Sequence, residues 1–367
     1  MAPILTRLGQ SFGFGAPSGG GGSSGPNMEA TGGTIIDQPG TDADGHPDGA
    51  GSYRVHVWTN PGDGLSNYSS TFVITACPGP GVVQYLVVGG GGSGGSNNGG
   101  GGGGGAFRQG TYTVTATGGA SNNGTYAVTI GKGGNTQPGP TASADNGLQG
   151  GTSNFGPPSP DPSNPTGGIY ASGGGGGVSG NTNEPKARAS ANVPSPNQPY
   201  GGSGGGGSRG MYNSPNAQNA GESGTYGEPG WVGAGGQGGG GGGAGGRGGP
   251  PPGIWKGGIG LSNSWIPPSY GTPGPGTGRF FAGGGSGARE GESGTAPGSY
   301  GGGGNGFTSY SPYPRPDYEN YSPMTTPSAS IGGRGARSTG GGGGGEINGG
   351  QMAIAGDGIV AIRYRYT

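Results

Sequence analysis

The sequence predicts a mainly β and irregular fold with almost no α-helix. An N-terminal β domain leads into a glycine-rich bundle of packed polyglycine-II helices with long end loops, and a C-terminal strand closes it. Three observations carry this prediction. Glycine supplies 108 of 367 residues, while hydrophobic residues make up 26% and charged residues 9%. Average globular chains are about 45–50% apolar and about 25% charged, so the apolar content is too thin to order so many glycines around conventional cores. Runs of apolar and β-branched residues bracket the glycine-rich region. No amphipathic helix of ten residues is found.

Residues 1–15 form an apolar-aromatic peptide with Ile4, Leu5, Leu8, Phe12 and Phe14, a candidate docking element or a frayed terminus. Its apolar centre is shorter than a signal peptide needs. Residues 16–31 read as a Gly/Ser linker. Residues 32–88 read as a β-rich domain. "SYRVHVWT" alternates Tyr53, Val55 and Val57 against Arg54, His56 and Trp58, and "STFVITA" and "VVQYLVV" are two further strands around "CPGPG". "TYTVTATGGASNNGTYAVTIG" reads as a hairpin with strands at 111–117 and 125–130.

Residues 89–350 read as the bundle itself. Glycine runs at 99–105, 173–177, 204–207, 238–243, 283–285, 301–304 and 340–345 alternate with irregular Pro-, Asn-, Ser-, Tyr- and Trp-rich inserts, without a fixed period. A polyproline-II-type helix turns every three residues and has no internal hydrogen bonds, so its N–H and C=O groups point outward. Packed side by side, such helices pair with one another. Only glycine permits that approach on every side, because a Cβ would hold the backbones apart. Residues 351–367, with "DGIVAIRYRYT", are the closing strand.

The residue types for catalysis do not converge. The two histidines are His46 and His56, and neither accompanies a nucleophile or metal-ligand motif. "GKGG" at 131–134 lacks the Ser/Thr of a P-loop, and GxGxxG matches carry no weight at this glycine content. "DADGHPDG" has the flavour of a calcium loop but departs from the EF-hand pattern, so a solvated acidic turn is the plainer reading. No enzyme activity, cofactor or metal is expected. Net charge is −1 without a basic face, which argues against nucleic acid as a partner. The one cysteine, Cys77, has no disulfide partner within the chain. No apolar run approaches the about 20 residues of a membrane helix.

The inserts do carry a binding-loop composition, with Tyr and Trp beside Ser, Asn and Gly. Candidate receptor-binding residues are Trp255, Trp265 and Tyr270 in one insert and Tyr310, Tyr313, Tyr318 and Tyr321 in another. The same rings suit shielding of the bundle ends or packing on neighbouring subunits, and both readings stay open.

"TFVITACPGPGVVQYLVVGGGGSGG", "GGGGGAFRQGTYTV", "YAVTIGKGG", "GGIYASGGGGGVSG" and "GDGIVAIRY" resemble, in order and approximate spacing, the glycine-rich domain of bacteriophage tail-fibre and virion proteins. The texture of alternating runs and loops is also similar to the tail-tip adhesins of T-even-type phages, which carry packed polyglycine-II helices. The resemblance implies a non-enzymatic virion protein, a tail-fibre or tip adhesin on the particle surface. The expected partners are other virion proteins through the N-terminal peptide and a host cell-surface glycan or outer-membrane protein. A homo-oligomer is compatible with it. The alternatives are a virion scaffold or capsid-surface protein of the same fold without a receptor role, and an extracellular matrix glycine-rich protein.

Overall fold

The computed structural model describes residues 28–39, 52–62, 64, 66–77, 79–116, 124–135, 146–157, 167–179, 201–208, 226–233, 237–249, 255–289, 298–306, 333–347 and 353–366. They contain no helix. Thirteen strands are β1 (Glu29–Thr31), β2 (Thr34–Gln38), β3 (Tyr53–Trp58), β4 (Tyr68–Ala76), β5 (Gly81–Val88), β6 (Phe107–Val114), β7 (Thr125–Ile130), β8 (Ser153–Gly156), β9 (Ile169–Ala171), β10 (Leu261–Asn263), β11 (Thr272–Pro273), β12 (Arg279–Phe281) and β13 (Ile359–Arg365). They form antiparallel sheets in the orders β1-β4-β7-β8-β9, β2-β3-β13-β5-β6 and β10-β12-β11.

The second sheet lies in the middle. One face packs on the first sheet through Trp58, Val83, Tyr85, Val87, Val360 and Ile362, which meet Phe72, Tyr126, Val128 and Phe155. Its other face carries Val55, Val57, Leu86, Val88, Ile359 and Ala361, covered by Ile266 and Phe281 from the region of the three-stranded sheet. This explains why β3 is polar-apolar in sequence yet buried on both sides. His56 is fully buried among aromatic rings. The closing strand β13 is central in this sheet, between β3 and β5.

The structure differs from the sequence reading at three points. Residues 111–117 and 125–130 do not form a hairpin. β6 pairs with β5 from Val88↔Phe107 to Gly81↔Val114, whereas β7 pairs with β4 and β8 in the other sheet. Alternation identifies a strand but not its partner, and the connection between β5 and β6 is two glycine runs in place of a short turn. The linker also gives way to structure before residue 32: Met28 and Ala30 are core residues and β1 starts at Glu29. The sheets further draw β6, β7, β8 and β9 from beyond residue 88.

The glycine runs pack as a lattice with a period of three. Gly99, Gly102 and Gly105 donate to the carbonyls of Glu346, Gly343 and Gly340 at 2.8–3.0 Å. Gly100, Gly103 and Ala106 donate to Val178, Gly175 and Ser172, and Gly101 and Gly104 donate to Gly239 and Gly242. Their carbonyls accept in the same rhythm. Gly99 and Gly102 accept from Ala288 and Gly285; Gly100, Gly103 and Ala106 accept from Gly95, Gly92 and Gly89; Gly101 and Gly104 accept from Gly206 and Ser203. Every third residue therefore returns to the same neighbour, as a helix of three residues per turn requires. The run 99–106 has six such neighbours, three taking its donors and three its acceptors. A Cβ built on Gly102 would overlap the Gly92 carbonyl, and one on Gly241 would overlap the Gly102 carbonyl.

Candidate functional site

Each strand beside the lattice continues directly into a run. β5 flows into 89–95, 99–106 flows into β6, β9 flows into 172–179, β12 flows into 282–288, and 353–358 flows into β13. The bundle thus has a sheet end and a distal end. At the distal end, 89–95 turns into 99–106 through Ser96, Asn97 and Asn98. Both asparagines have positive φ (52° and 55°), a conformation asparagine tolerates better than most residues. Asn98 N–H bonds the Ile347 carbonyl at 3.1 Å, and the hydroxyls of Ser96 and Ser179 meet at 3.1 Å.

The candidate aromatic residues divide between the two ends. Trp265 and Tyr270 belong to the sheet end, partly buried against the second core. The Asn263 carboxamide fixes their loop: its oxygen accepts from the Trp265 and Ile266 N–H groups at 3.1 and 2.8 Å, and its nitrogen donates to Gln109 at 3.1 Å. The Arg279 guanidinium donates to the Tyr270 and Gly271 carbonyls. Burial raises the Tyr270 hydroxyl pKa. Arg363 lies over Tyr53 at 4.2 Å and over Trp265 at 5.3 Å, and donates to Gln84 at 2.7 Å.

Trp255 belongs to the distal end. Its carbonyl accepts from Gly287, one residue before the Ala288 that bonds Gly99. Its indole is flanked by Lys256 at 5.5 Å and Arg289 at 4.9 Å. Tyr310, Tyr313, Tyr318 and Tyr321 lie outside the described residues, but the segment 307–332 that holds them has both flanks at this end. Asn305 receives the Gly333 N–H, and Gly333 in turn receives Gly344, two residues from Glu346. Trp255 therefore shares an end with the two flanks of that segment, and Trp265 and Tyr270 do not. The peptide carrying Ile4, Leu5, Leu8, Phe12 and Phe14, and the acidic turn with His46, also lie outside the described residues.

A second indole joins Trp255 on the distal half. The Trp231 backbone N–H donates to the Gly240 carbonyl, and its indole is covered by Arg247 at 5.0 Å. Trp231, Lys256 and Arg289 are residues that sequence reasoning passed over. The adjacency of Trp255 and Lys256 was visible, but the partners of Arg247 and Arg289 come from other runs. His56, by contrast, has a structural environment: its Nδ1 is 2.7 Å from the Gly32 carbonyl and its Nε2 3.2 Å from the Tyr364 hydroxyl.

Together these features describe an ordered glycine lattice between a β core and a loop-bearing end. A family model described as a glycine-rich domain matches residues 66–365, from just before β4 to the last residue of β13. The chain belongs to this glycine-rich domain family. The matched span takes in β4 to β13 and all of the lattice, and leaves out β1, β2 and β3 of the two larger sheets. A comparison with curated proteins finds no match.

Proposed function

We propose that this glycine-rich domain is a non-enzymatic structural protein of a phage virion, a tail-fibre or tip adhesin that meets a host surface receptor through its distal loops. The observation that carries the reading is the separation of ends. The β core terminates one end of a stiff lattice, while Trp255 and both flanks of the Tyr-rich segment 307–332 gather at the other. A presenting device needs that arrangement, because rigid support lowers the entropy lost when a loop engages its ligand. The sequence resemblance to phage virion proteins supports the same reading. The apolar N-terminal peptide, with Ile4, Leu5, Leu8, Phe12 and Phe14, is then the element that docks on the particle. Trp265 and Tyr270 contribute less to receptor contact than Trp255, since they support the sheet end.

The test is adsorption of purified protein to host cells alongside thermal melting. Replacing Tyr310, Tyr313, Tyr318 and Tyr321 by alanine is expected to reduce adsorption by tenfold or more, roughly the loss of one or two aromatic hot spots, with the melting temperature unchanged. Unchanged adsorption favours a virion scaffold of the same fold. Loss of adsorption together with folding makes those rings structural.

A further inference from the structure

We propose that the distal flank of the bundle carries a binding surface for an acidic glycan, formed by Arg247 on Trp231 and by Lys256 and Arg289 on Trp255. The inference rests on the adhesin reading and names the chemistry of the receptor. One glycine run, 237–243, supports both indoles. Trp231 donates to Gly240 at 2.9 Å, and the Lys256 carbonyl lies so close to Gly240 that a Cβ there would overlap it. Gly258 donates to Gly241 at 2.8 Å, holding the segment that follows Trp255 against the same run. The loop carrying Arg247 is tied to both sides: Gly248 donates to Pro229 at 3.1 Å and Gly249 to Lys256 at 2.7 Å. Arg289 joins through a backbone bridge to Gln237. The indoles and cations are thus held by backbone that is itself part of the lattice.

The side chains suit an anion next to a flat, weakly polar ring. Arg247 and Lys256 are exposed, and neither forms an ion pair with a carboxylate among the described residues. Arg247 and Lys256, resting on their indoles, are positioned by the ring quadrupole, and as exposed side chains they turn N–H groups to solvent or ligand. The guanidinium of Arg247 presents its donors in a plane that fits a carboxylate or phosphate. Half-buried indole edges next to those donors offer a surface for the C–H face of a sugar. Glu228 is the carboxylate nearest in sequence to Trp231, and its backbone is engaged in the lattice with Gly204 and Ser203. Glu290 and Glu292 follow Arg289 in sequence, so Arg247 and Lys256 are the cations that carry the anion contact. Nucleic acid is the weaker fit. Its affinity accumulates over many phosphate contacts, whereas this flank has two exposed cations, Arg247 and Lys256, on a chain of net charge −1.

The experiment is calorimetric titration of the full-length protein with a galacturonate decamer, a neutral maltooligosaccharide of equal length and a ten-nucleotide oligo-dT. The galacturonate decamer is expected to bind, more weakly as salt rises, and R247Q/K256Q is expected to lower its affinity about tenfold with an unchanged melting temperature. Absence of binding, equal binding of the neutral sugar, tighter binding of oligo-dT or indifference to R247Q/K256Q would each overturn the proposal. Cell adsorption separates this from the broader reading. If wild type and R247Q/K256Q adsorb equally at low and high salt, the acidic-glycan surface fails and the adhesin reading stands. If the decamer binds as expected while no host cell adsorbs the protein, the adhesin reading fails and the surface stands.

Discussion

The sandwich and the bundle of this one chain are stabilised by different physics. Between the two five-stranded sheets, Phe72, Tyr126 and Phe155 pack ring against ring, with centroids 5.9–6.5 Å apart. Removal of apolar surface from water is the main favourable term there. In the run 99–106, which leads into β6, there is almost no side chain to bury. The favourable term is the mutual satisfaction of backbone donors and acceptors in every lateral direction. A hydrogen bond contributes little net stability, whereas an orphaned buried group is costly. The lattice is therefore tolerant of weak individual bonds and intolerant of anything that separates the runs. The sandwich tolerates the reverse, small shifts in spacing but not the loss of a large ring.

The largest effect that would break this contrast is a branched side chain in the middle of the lattice. Gly102→Val places a Cβ on the Gly92 carbonyl and separates two pairs: the Gly102 N–H from Gly343, and the Gly285 N–H from Gly102. With about 1–3 kcal/mol for each buried group left unpaired, the expected loss exceeds about 4 kcal/mol. Gly241→Val, whose Cβ meets the Gly102 carbonyl, should match it. Chemical denaturation measures both. A Gly102→Val protein that unfolds at the wild-type midpoint would mean the runs are not held by close backbone contact.

How much of this was legible in the sequence follows from the same physics. The glycine lattice was legible because only glycine fits a helix that pairs on all sides, and the longest runs, 99–105, 238–243 and 340–345, complete two turns. The brackets at "YLVV" and "GIVAIRY" were legible because they are apolar without alternation, as strands buried on both faces must be. Partnership was not legible. β6 and β7 have the same Thr/Tyr/Val texture, and nothing local says that one pairs with β5 across two glycine runs while the other pairs with β4. The ends were not legible either. Trp255 and Trp265 stand ten residues apart in one insert, yet the first meets Arg289 at the distal end and the second meets Arg363 at the sheet end. Those partners come from segments far along the chain, and the direction in which each run crosses the bundle decides who meets whom.

A smaller effect sharpens the comparison from the sandwich side. Phe72 is fully buried and touches His56, Trp58, Tyr126, Phe155 and Tyr364 through ring contacts. Phe72→Ala should cost about 3–5 kcal/mol by lost transfer energy and the cavity left behind. Its signature should differ from that of Gly102→Val. Amide exchange should accelerate first in β4 and β7, while the N–H groups of 99–106 keep their protection until global unfolding. Uniform loss of protection through both regions would show that the sandwich and lattice open as one cooperative unit.

The smallest effect is one of pH, and it probes the seam where the N-terminal strands meet β13. His56 is fully buried, stacked between Trp58 and Tyr364 with centroids 5.9 and 5.6 Å away. With Nδ1–H donating to the Gly32 carbonyl, Nε2 is left to accept from the Tyr364 hydroxyl. That hydroxyl is itself held in the neutral form, its pKa pushed up to about 12 chiefly by burial. Burial likewise lowers the His56 pKa from 6.5. The Gly32 hydrogen bond and Asp37 oppose the shift, while Arg54 adds to it. A lowered folded-state pKa means that the unfolded chain takes up a proton first. The stabilising contribution of neutral His56 is complete above about 6.5 and is lost as pH falls from there through the folded-state value. The acidic partner nearby, Asp37, titrates lower: the hydrogen bonds from Arg54 at 2.7 and 3.0 Å hold its carboxyl below the ordinary 3.8. Between pH 6.5 and 5, then, the slope of stability from this seam belongs to the imidazole. Each unit of separation between folded and unfolded pKa corresponds to about 1.4 kcal/mol. Urea midpoints of wild type and His56→Gln, taken at pH 7.5, 6.5, 5.8 and 5.0, measure it. Wild type should be the more stable protein at pH 7.5, and the gap should narrow as pH falls below 6.5, because the glutamine side chain has no proton to gain. A gap that stays constant across the range would mean that the ring can accept its proton without leaving its place between Trp58 and Tyr364.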